Sequence, residues 1–260
     1  MTQSAPGAAG FEKLKALLRK APGAPLWRFL YHLRNENSRN RALLDVERPK
    51  GLFQPEPTTQ ENRYPELFRF VRDHLGDASD RRILSFGCST GEEVFSLRRY
   101  FPSAQIKGVD INRRNIRECR KRLARIGGDA GLSFEAAGSA VAEPPAYYDA
   151  IFAMAVFRHG RLGDRPPRCD HLIKFGDFER SVGELAASLK PGGLLILRHA
   201  NFRFGDTVAS VAFTPICGAA SHPDAAQTPL YGPDDQLLPD GQRDDGVFEQ
   251  RIAPACRDPR

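Results

Sequence analysis

Short apolar runs alternate with amphipathic segments along the middle of the chain, and this alternation predicts the elements of the fold. The apolar runs predict buried strands at 83–86, 105–109, 132–136, 148–153 and 194–199. Segments with apolar residues three or four positions apart predict helices at 64–75, 91–100, 113–125 and 177–189. Strands and helices that alternate in this way are typical of a doubly wound, mostly parallel α/β sheet.

The two ends of the chain differ from this alternating region. Helical spacing of apolar residues at 11–19 and 25–35, followed by a proline-containing stretch at 51–60, predicts a helical N-terminal extension and linker. We therefore predict an extension over residues 1–60 and an α/β domain over residues 61–260. A turn is expected at Pro191–Gly193, and one or two late strands at 211–213 and 247–250.

Composition and charge narrow the class of protein. The 260 residues are 41% hydrophobic and 27% charged, as in an ordinary globular protein. The start of the sequence has no apolar signal-peptide core, and no apolar run is long enough to cross a membrane. Five scattered cysteines show no metal-ligand spacing, so we expect no metal site and a cytoplasmic location.

The net charge of +6 is concentrated in residues 1–50 and in the predicted helix 113–125. A basic surface attracts nucleic acid or acidic protein segments, but a solvated helix face has the same composition. No aromatic residues are interleaved with the basic ones, so a nucleic-acid partner is not predicted.

The candidate cofactor site is the loop between the first predicted strand and the helix that follows it. Gly87, Cys88, Ser89 and Gly91 form this loop, and ligands of open α/β sheets bind beyond the carboxyl ends of the strands. Asp110 ends the next strand, where an acid can accept hydrogen bonds from ribose hydroxyls. The sequence therefore predicts a nucleoside-containing ligand.

The charges beside this loop favour one nucleoside over others. A dinucleotide-binding loop would need glycines where the chain has Ser89 and Glu92. Glu92 and Glu93 suit the positive end of a helix dipole but would repel a pyrophosphate. S-adenosylmethionine has no phosphate and carries a sulfonium and an ammonium, so it fits this pattern better than NAD or FAD. Glu93 itself is interpreted as a helix-start charge more than as a ligand.

Four segments together resemble the class I S-adenosylmethionine-dependent methyltransferases. They are the loop 83–97, the acid-bearing 108–112, the fourth strand 148–152, and the turn and strand 189–197. Within that superfamily the chain most resembles the chemotaxis-receptor glutamate methyltransferases, and the similarity covers about residues 59–200. The resemblance implies a Rossmann-like methyltransferase fold. It adds Ile111 and Phe152 as cofactor contacts, and Arg63 as a contact of the methionine carboxylate.

The acceptor side departs from that branch. After the fourth strand the branch has an asparagine and a tyrosine, where this chain has Ala155 and His159. His159 and Arg158 are the candidate catalytic residues, for deprotonating or orienting an acceptor. We expect methyl transfer to a small-molecule or sugar-type acceptor. Two alternatives remain open: a protein carboxyl methyltransferase acting on an acidic protein segment, and a non-catalytic cofactor-binding module.

Overall fold

The computed structural model describes residues 51–55, 59–218 and 228–252. The helical extension predicted within residues 1–50 lies outside them. Four α-helices occur in the described ranges: α1 (Pro65–Leu75), α2 (Glu92–Tyr100), α3 (Arg113–Arg125) and α4 (Phe175–Ser188). Shorter 3-10 helices span Gly160–Asp164, Phe204–Asp206 and Val208–Ala212.

Seven strands form one sheet. They are β1 (Arg82–Phe86), β2 (Gln105–Asp110), β3 (Leu132–Ala136), β4 (Tyr148–Met154), β5 (Leu189–Arg198), β6 (Phe213–Gly218) and β9 (Gly246–Gln250). Their order across the sheet is β3-β2-β1-β4-β5-β9-β6, with the first five strands parallel and β9 antiparallel to both of its neighbours. A separate two-stranded ladder pairs β7 (Leu230–Tyr231) with β8 (Leu237–Leu238). The predicted doubly wound, mostly parallel sheet is confirmed.

The apolar runs of the central strands are continuous because both faces of the sheet are covered. One face carries α1, α2 and α3, whose Phe68, Val94 and Ile116 pack with Ile83 of β1. On the other face α4 packs through residues such as Phe178, in the cluster that contains the alternate strand residues. The chain changes face between β1 and β4, which is where a doubly wound sheet opens a crevice at its carboxyl edge.

The β5 region differs from the prediction. The expected turn at Pro191–Gly193 lies inside β5, because Leu189 pairs with Tyr148 before the register shifts and Leu194 pairs with Ala150. Gly192 has φ +78° within this irregular stretch. The predicted separation of a turn from a strand beginning at residue 194 is therefore wrong, since an irregularity in the ladder absorbs the extra residues.

The late strands are predicted in part. The strand expected at 247–250 corresponds to β9, but 208–212 is a 3-10 helix and β6 begins only at Phe213. Val208 and Val211 are about three-quarters exposed, so their apolar character does not mark a buried strand. The alternation rule fails here because single exposed valines are common at protein surfaces.

Candidate functional site

The loop after β1 turns sharply through backbone conformations that few residues adopt. Gly87, Ser89 and Gly91 all have positive φ, at +75°, +50° and +93°. The N–H groups of Gly87 and Cys88 both donate to the Val109 carbonyl, at 2.9 Å each, which ties the loop to the end of β2. A Cβ on Gly87 would come within 2.5 Å of Val156 Cγ2, so only glycine fits beside the segment that follows β4.

Asp110 holds this loop from the end of β2. Its Oδ2 accepts the Ser89 N–H at 2.8 Å, and its Oδ1 accepts the Asn112 N–H at 2.8 Å and the Asn115 Nδ2 at 3.1 Å. A carboxylate has about four lone-pair positions, so these bonds leave room on Oδ2 for about one more donor. Burial raises the pKa of Asp110, and the three donors oppose that shift. Asp110 can therefore accept a hydrogen bond from one ribose hydroxyl. Accepting from both hydroxyls, as predicted, requires the Ser89 N–H to give up its hydrogen bond.

The hydroxyl of Ser89 lies at the same point. Its Oγ is buried and has no hydrogen-bond partner among the described residues. A buried polar atom of this kind costs free energy unless a ligand or water satisfies it. Together with the remaining lone pair of Asp110, it gives the carboxyl edge of β1 and β2 both a donor and an acceptor for a polar ligand.

Glu93 lies in the first turn of α2, against β1. Its carboxylate extends from the first turn of α2 back to β1, where Oε1 accepts the Ser85 hydroxyl at 2.7 Å. Removal from bulk water raises the pKa of Glu93 to about 7, although the Ser85 hydrogen bond lowers it. The side chain still keeps some exposure. A carboxylate surrounded by protein yet still reached by solvent is a candidate ligand for a cation.

Cys88 is a packing residue beneath the loop. Cys88 is 2% exposed, and its hydrogen bond with the neighbouring Cys119, followed by burial, raises the pKa of its thiol well above the ordinary value. The thiol of Cys119 donates to the Ser89 carbonyl at 3.3 Å. Both side chains support the loop from the α3 side, and Cys88 is not a nucleophile, because reactivity needs the thiolate.

A second group of polar residues lies at the ends of β4 and β5, beside the start of α1. We call Arg63, Arg158, Arg198 and Arg243 the arginine cluster. The guanidinium carbons of Arg63 and Arg198 lie 5.3 Å and 5.6 Å from the centroid of the Tyr64 ring. That ring is 5.8 Å from the ring of His199. Arg198 and Tyr64 are each only 5% exposed.

The pKa of His199 reflects the charge of this cluster. Burial, and then the positive charges of Arg198, Arg63, Arg158 and Arg243, lower the pKa of His199 to about 3. The imidazole is therefore neutral at physiological pH. Its backbone N–H donates to Asp245 Oδ2 at 2.7 Å, which fixes the residue directly after β5.

The candidate catalytic residues take different positions. His159 caps the 3-10 helix Gly160–Asp164: its Nδ1 accepts the Arg161 N–H at 3.3 Å, and its own N–H donates to Asn201 Oδ1 at 2.8 Å. Arg158, the residue before it, is half-buried and belongs to the arginine cluster. Arg158 thus lies near His199, and His159 makes structural hydrogen bonds.

Two of the predicted cofactor contacts, Ile111 and Phe152, differ in how much of their surface is exposed. Ile111 follows β2 and is half-buried beside Asp110. Phe152 is completely buried on the α1 face, with its ring 5.7 Å from the ring of Phe68. We therefore correct the prediction for Phe152: its side chain belongs to the core, since it has no exposed surface to offer a ligand.

Asp149 lies at the opposite end of the central strands, where β4 begins. It accepts hydrogen bonds from the Arg82 N–H at 2.8 Å, from Lys190 Nζ at 2.8 Å and from Arg81 Nη1 at 3.1 Å. Burial alone would raise the pKa of Asp149, but these donors outweigh it and the pKa lies below the ordinary value. The polar residues at the two ends of β4 therefore differ: an ion-paired carboxylate at the amino end, and guanidiniums at the carboxyl end.

Two negative findings apply to residues 51–55, 59–218 and 228–252. None of their helices is long and apolar enough to cross a bilayer. No group of three or more His, Cys, Asp and Glu side chains there could hold a metal ion.

The comparisons with known proteins bear on the segment that carries this site. The sequence model of the family described as "Methyltransferase domain" matches residues 84–195, from β1 through β5. This part of the chain is thus similar to a methyltransferase domain. The prediction of a methyltransferase is confirmed, and S-adenosylmethionine is the cofactor that this class uses.

Two relatives each cover about half of this chain. Trans-aconitate 2-methyltransferase of Rhodopseudomonas palustris (strain BisB18) is 32% identical over 136 residues, which are 51% of this chain and 45% of that protein. The enzyme of the same name from Afipia carboxidovorans is 33% identical over 118 residues, 45% of this chain and 38% of that protein. The chain thus spans less than half the length of these relatives. They give no support to the narrower resemblance to chemotaxis-receptor glutamate methyltransferases.

Among solved structures, geranyl diphosphate C-methyltransferase from Streptomyces coelicolor A3(2) aligns with a TM-score of 0.38. The two chains are 17% identical, and the alignment covers 51% of this chain and 43% of that one.

Sequence reasoning missed the contact of Glu93 with β1 and the grouping of the arginines. Glu93 could have been recognised from its spacing, because a residue two positions after Gly91 lies in the first helical turn and can face back to β1. The arginine cluster could not, since Arg63, Arg158 and Arg198 are far apart in sequence and only the order of the strands brings them together.

Proposed function

We propose that this methyltransferase domain binds S-adenosylmethionine at the carboxyl edge of β1 and β2 and transfers its methyl group to a small-molecule acceptor. The observation that carries the proposal is the position of Asp110. It ends β2, is bonded to the loop after β1, and retains acceptor capacity on Oδ2. The family match over residues 84–195 supports the same site.

The residues present fit the adenosine end of the cofactor. Asp110 and the buried Ser89 hydroxyl can exchange hydrogen bonds with a ribose, and Ile111 offers apolar surface beside them. Gly87 has no side chain to obstruct the loop. We assign Gly87, Cys88, Ser89, Gly91, Asp110 and Ile111 to this end of the site.

The methionine end has a matching pair of charges. Glu93 can accept hydrogen bonds from the ammonium, and a cation bound there would favour its ionised form. Arg63, at the start of α1, keeps its predicted role as a partner of the methionine carboxylate. Both charges would then be satisfied by one zwitterionic ligand, which a dinucleotide could not do.

The chemistry demands little of the protein. When bound, S-adenosylmethionine supplies a methyl group on a sulfonium, which is already a good leaving group. The residues around it orient the acceptor and exclude water. Arg158 is placed to hold an acceptor, and His159 remains a candidate for orienting one through its ring.

Trans-aconitate is the first acceptor to test, because two relatives carry it in their names. The decisive first experiment is calorimetric titration of the full chain with S-adenosylhomocysteine. Asp110→Asn keeps the shape of the side chain but removes its charge, and should weaken binding by about 1.5–3 kcal/mol. Asp73→Asn, at an exposed carboxylate of α1, is the matched control and should bind as the parent does.

Methyl transfer is then measured with a labelled cofactor and trans-aconitate, together with a panel of other small acceptors. A folded protein that binds no S-adenosylhomocysteine would contradict the proposal. Binding without transfer to any acceptor would instead favour the non-catalytic module.

A further inference from the structure

The exposed side of α3 is strongly basic. Arg113, Arg117, Lys121 and Arg125 are all exposed, and we call these four residues the basic stripe. Because they recur every four residues, they follow one side of the helix, while Ile116 faces the core. A helix rises about 1.5 Å per residue, so the stripe extends over about 18 Å. It is long enough to contact three turns of another helix.

Glu118 is the one acidic residue of α3, and it balances only part of this charge. Its carboxylate pairs with Lys121 at 3.0 Å, and that hydrogen bond, helped by the more distant charge of Arg125, lowers the pKa of Glu118. In the part of the chain that the structure describes, no hydrogen bond or ion pair involves the side chain of Arg113 or Arg117. The stripe therefore presents more positive charge to solvent than the protein around it neutralises.

This arrangement of charge opposes the stability of the helix itself. Successive members of the stripe are four residues apart, and like charges at that spacing repel one another. The first turn of α3 contains Arg113 and no acid, although the positive end of a helix dipole favours negative charge. The first turn of α2, by contrast, contains Glu92 and Glu93. Departures from these local rules at exposed positions indicate a role in binding, since natural sequences depart from them mainly at functional sites.

An exposed apolar residue adjoins the end of the stripe. Ile126 directly follows Arg125 and is 59% exposed. The space beyond it is open, because a Cβ added to Gly127 or Gly128 would meet nothing within 4 Å. Protein interfaces combine arginine with apolar side chains, whereas single-stranded nucleic acid stacks its bases on aromatic residues, and α3 contains none. The surface therefore fits a protein better than a nucleic acid.

We propose that the basic stripe and Ile126 bind an acidic helix of a partner protein, with carboxylates three or four residues apart and an apolar side chain near one end. Residues at that spacing share one side of a helix, so the partner's carboxylates match the spacing of the stripe. Its negative charge relieves the repulsion within the stripe and speeds association. Docking of this kind requires neither bound cofactor nor methyl transfer.

The test measures binding of labelled probes to the full chain by fluorescence anisotropy. The patterned peptide is a helix of about four turns with glutamate at every fourth position and one leucine near its end. A redistributed peptide has the same composition with its glutamates on all sides, and a single-stranded RNA and a DNA duplex are titrated in parallel. We expect the patterned peptide to bind about tenfold or more tightly than the other three probes at about 0.15 M salt, and more weakly as salt is added.

Arg117→Glu should weaken the patterned peptide about tenfold, because it replaces an attraction by a repulsion, and a peptide with one glutamate changed to lysine should recover part of the loss. Arg180→Glu changes the net charge equally at an exposed position of α4, on the other face of the sheet, and should bind as the parent does.

Ile126→Ser should weaken the patterned peptide and leave the nucleic acids unaffected. The inference is overturned if the redistributed peptide binds as tightly as the patterned one, if RNA or DNA binds more tightly than either, or if Arg117→Glu and Arg180→Glu behave alike. Affinity for S-adenosylhomocysteine is measured on the same proteins and should not change, so a failure of docking is distinguishable from a failure of the proposed function.

Discussion

At the scale of single residues, the site combines groups that are costly for the fold. Glu93 is the clearest case, because its carboxylate is held against Ser85 with a pKa of about 7 instead of its usual 4.5. The folded protein therefore binds a proton more readily than the unfolded chain between those two values. Stability falls as the pH rises through this window, so an ionised Glu93 weakens the fold while it favours a cationic ligand.

Glu93→Gln separates these two effects. Glutamine can still accept the Ser85 hydrogen bond but carries no charge. The free energy of unfolding of the variant relative to the parent should therefore rise by roughly 1–2 kcal/mol from pH 5 to pH 8. This is less than full linkage gives, because the side chain is partly exposed. Urea unfolding at both pH values measures this difference. The same variant should bind S-adenosylhomocysteine about tenfold more weakly at pH 8.

Glu92→Gln is the control for this prediction, since Glu92 lies in the same turn but bonds to the Thr90 hydroxyl. It should show neither effect. A stability difference for Glu93→Gln that stays constant from pH 5 to pH 8 would contradict a folded-state pKa of about 7 for Glu93.

At the scale of elements, the loop after β1 depends on its contact with the segment after β4. Gly87 has φ +75°, and a Cβ there would meet Val156 Cγ2 at 2.5 Å. Two costs follow for any side chain: backbone strain, and a collision across the crevice that displaces the loop from Asp110.

Gly87→Ala should therefore lower the free energy of unfolding by about 2–4 kcal/mol and weaken S-adenosylhomocysteine binding. Gly127→Ala isolates the first cost, because Gly127 has φ +86° but a Cβ added to it would meet nothing within 4 Å. Adding Val156→Ala to Gly87→Ala should restore part of the stability, and urea unfolding of the four proteins completes the comparison. Equal losses for the two alanine variants would show that the collision is relieved without cost.

The elements also show what the sequence could and could not predict. The positions of β1 to β4 and of α1 to α3 follow from local periodicity, so the sheet and the Asp110 position were predictable. The bulged start of β5 and the 3-10 helix at Val208–Ala212 depend on how neighbouring strands pair, which local patterns do not contain. The arginine cluster depends on strand order in the same way, whereas Phe152 was misassigned because a motif position does not say which face of a strand is buried.

At the scale of the whole molecule, the polar residues at the carboxyl ends of the strands differ from those at the amino ends. The carboxyl edge collects guanidiniums, a neutral imidazole and a carboxylate with a raised pKa, all of which cost stability. The amino edge holds Asp149, whose charge is fully used by Arg81, Arg82 and Lys190. Such a division is expected where binding chemistry and stability are carried by opposite ends of the same strands.

Asp149→Asn tests this division. The variant loses a buried charge but keeps the side-chain shape, and because Arg81 and Lys190 are each about one-third exposed, water can partly replace the lost partner. We expect the free energy of unfolding to fall by about 1–3 kcal/mol at pH 7. Since the folded pKa of Asp149 lies below the unfolded value of 3.8, this loss should be the same from pH 5 to pH 8 and shrink only as the pH falls below that value.

Binding should not follow stability in this variant. Asp149 lies at the far end of β4 from Arg158, so the affinity of Asp149→Asn for S-adenosylhomocysteine should stay within about twofold of the parent, well inside the tenfold expected for a lost charged hydrogen bond. Asp110→Asn should lose affinity whatever it does to stability. If Asp149→Asn weakened the ligand as much as Asp110→Asn does, the two edges would be coupled through the sheet, and loss of affinity could no longer serve to locate the site.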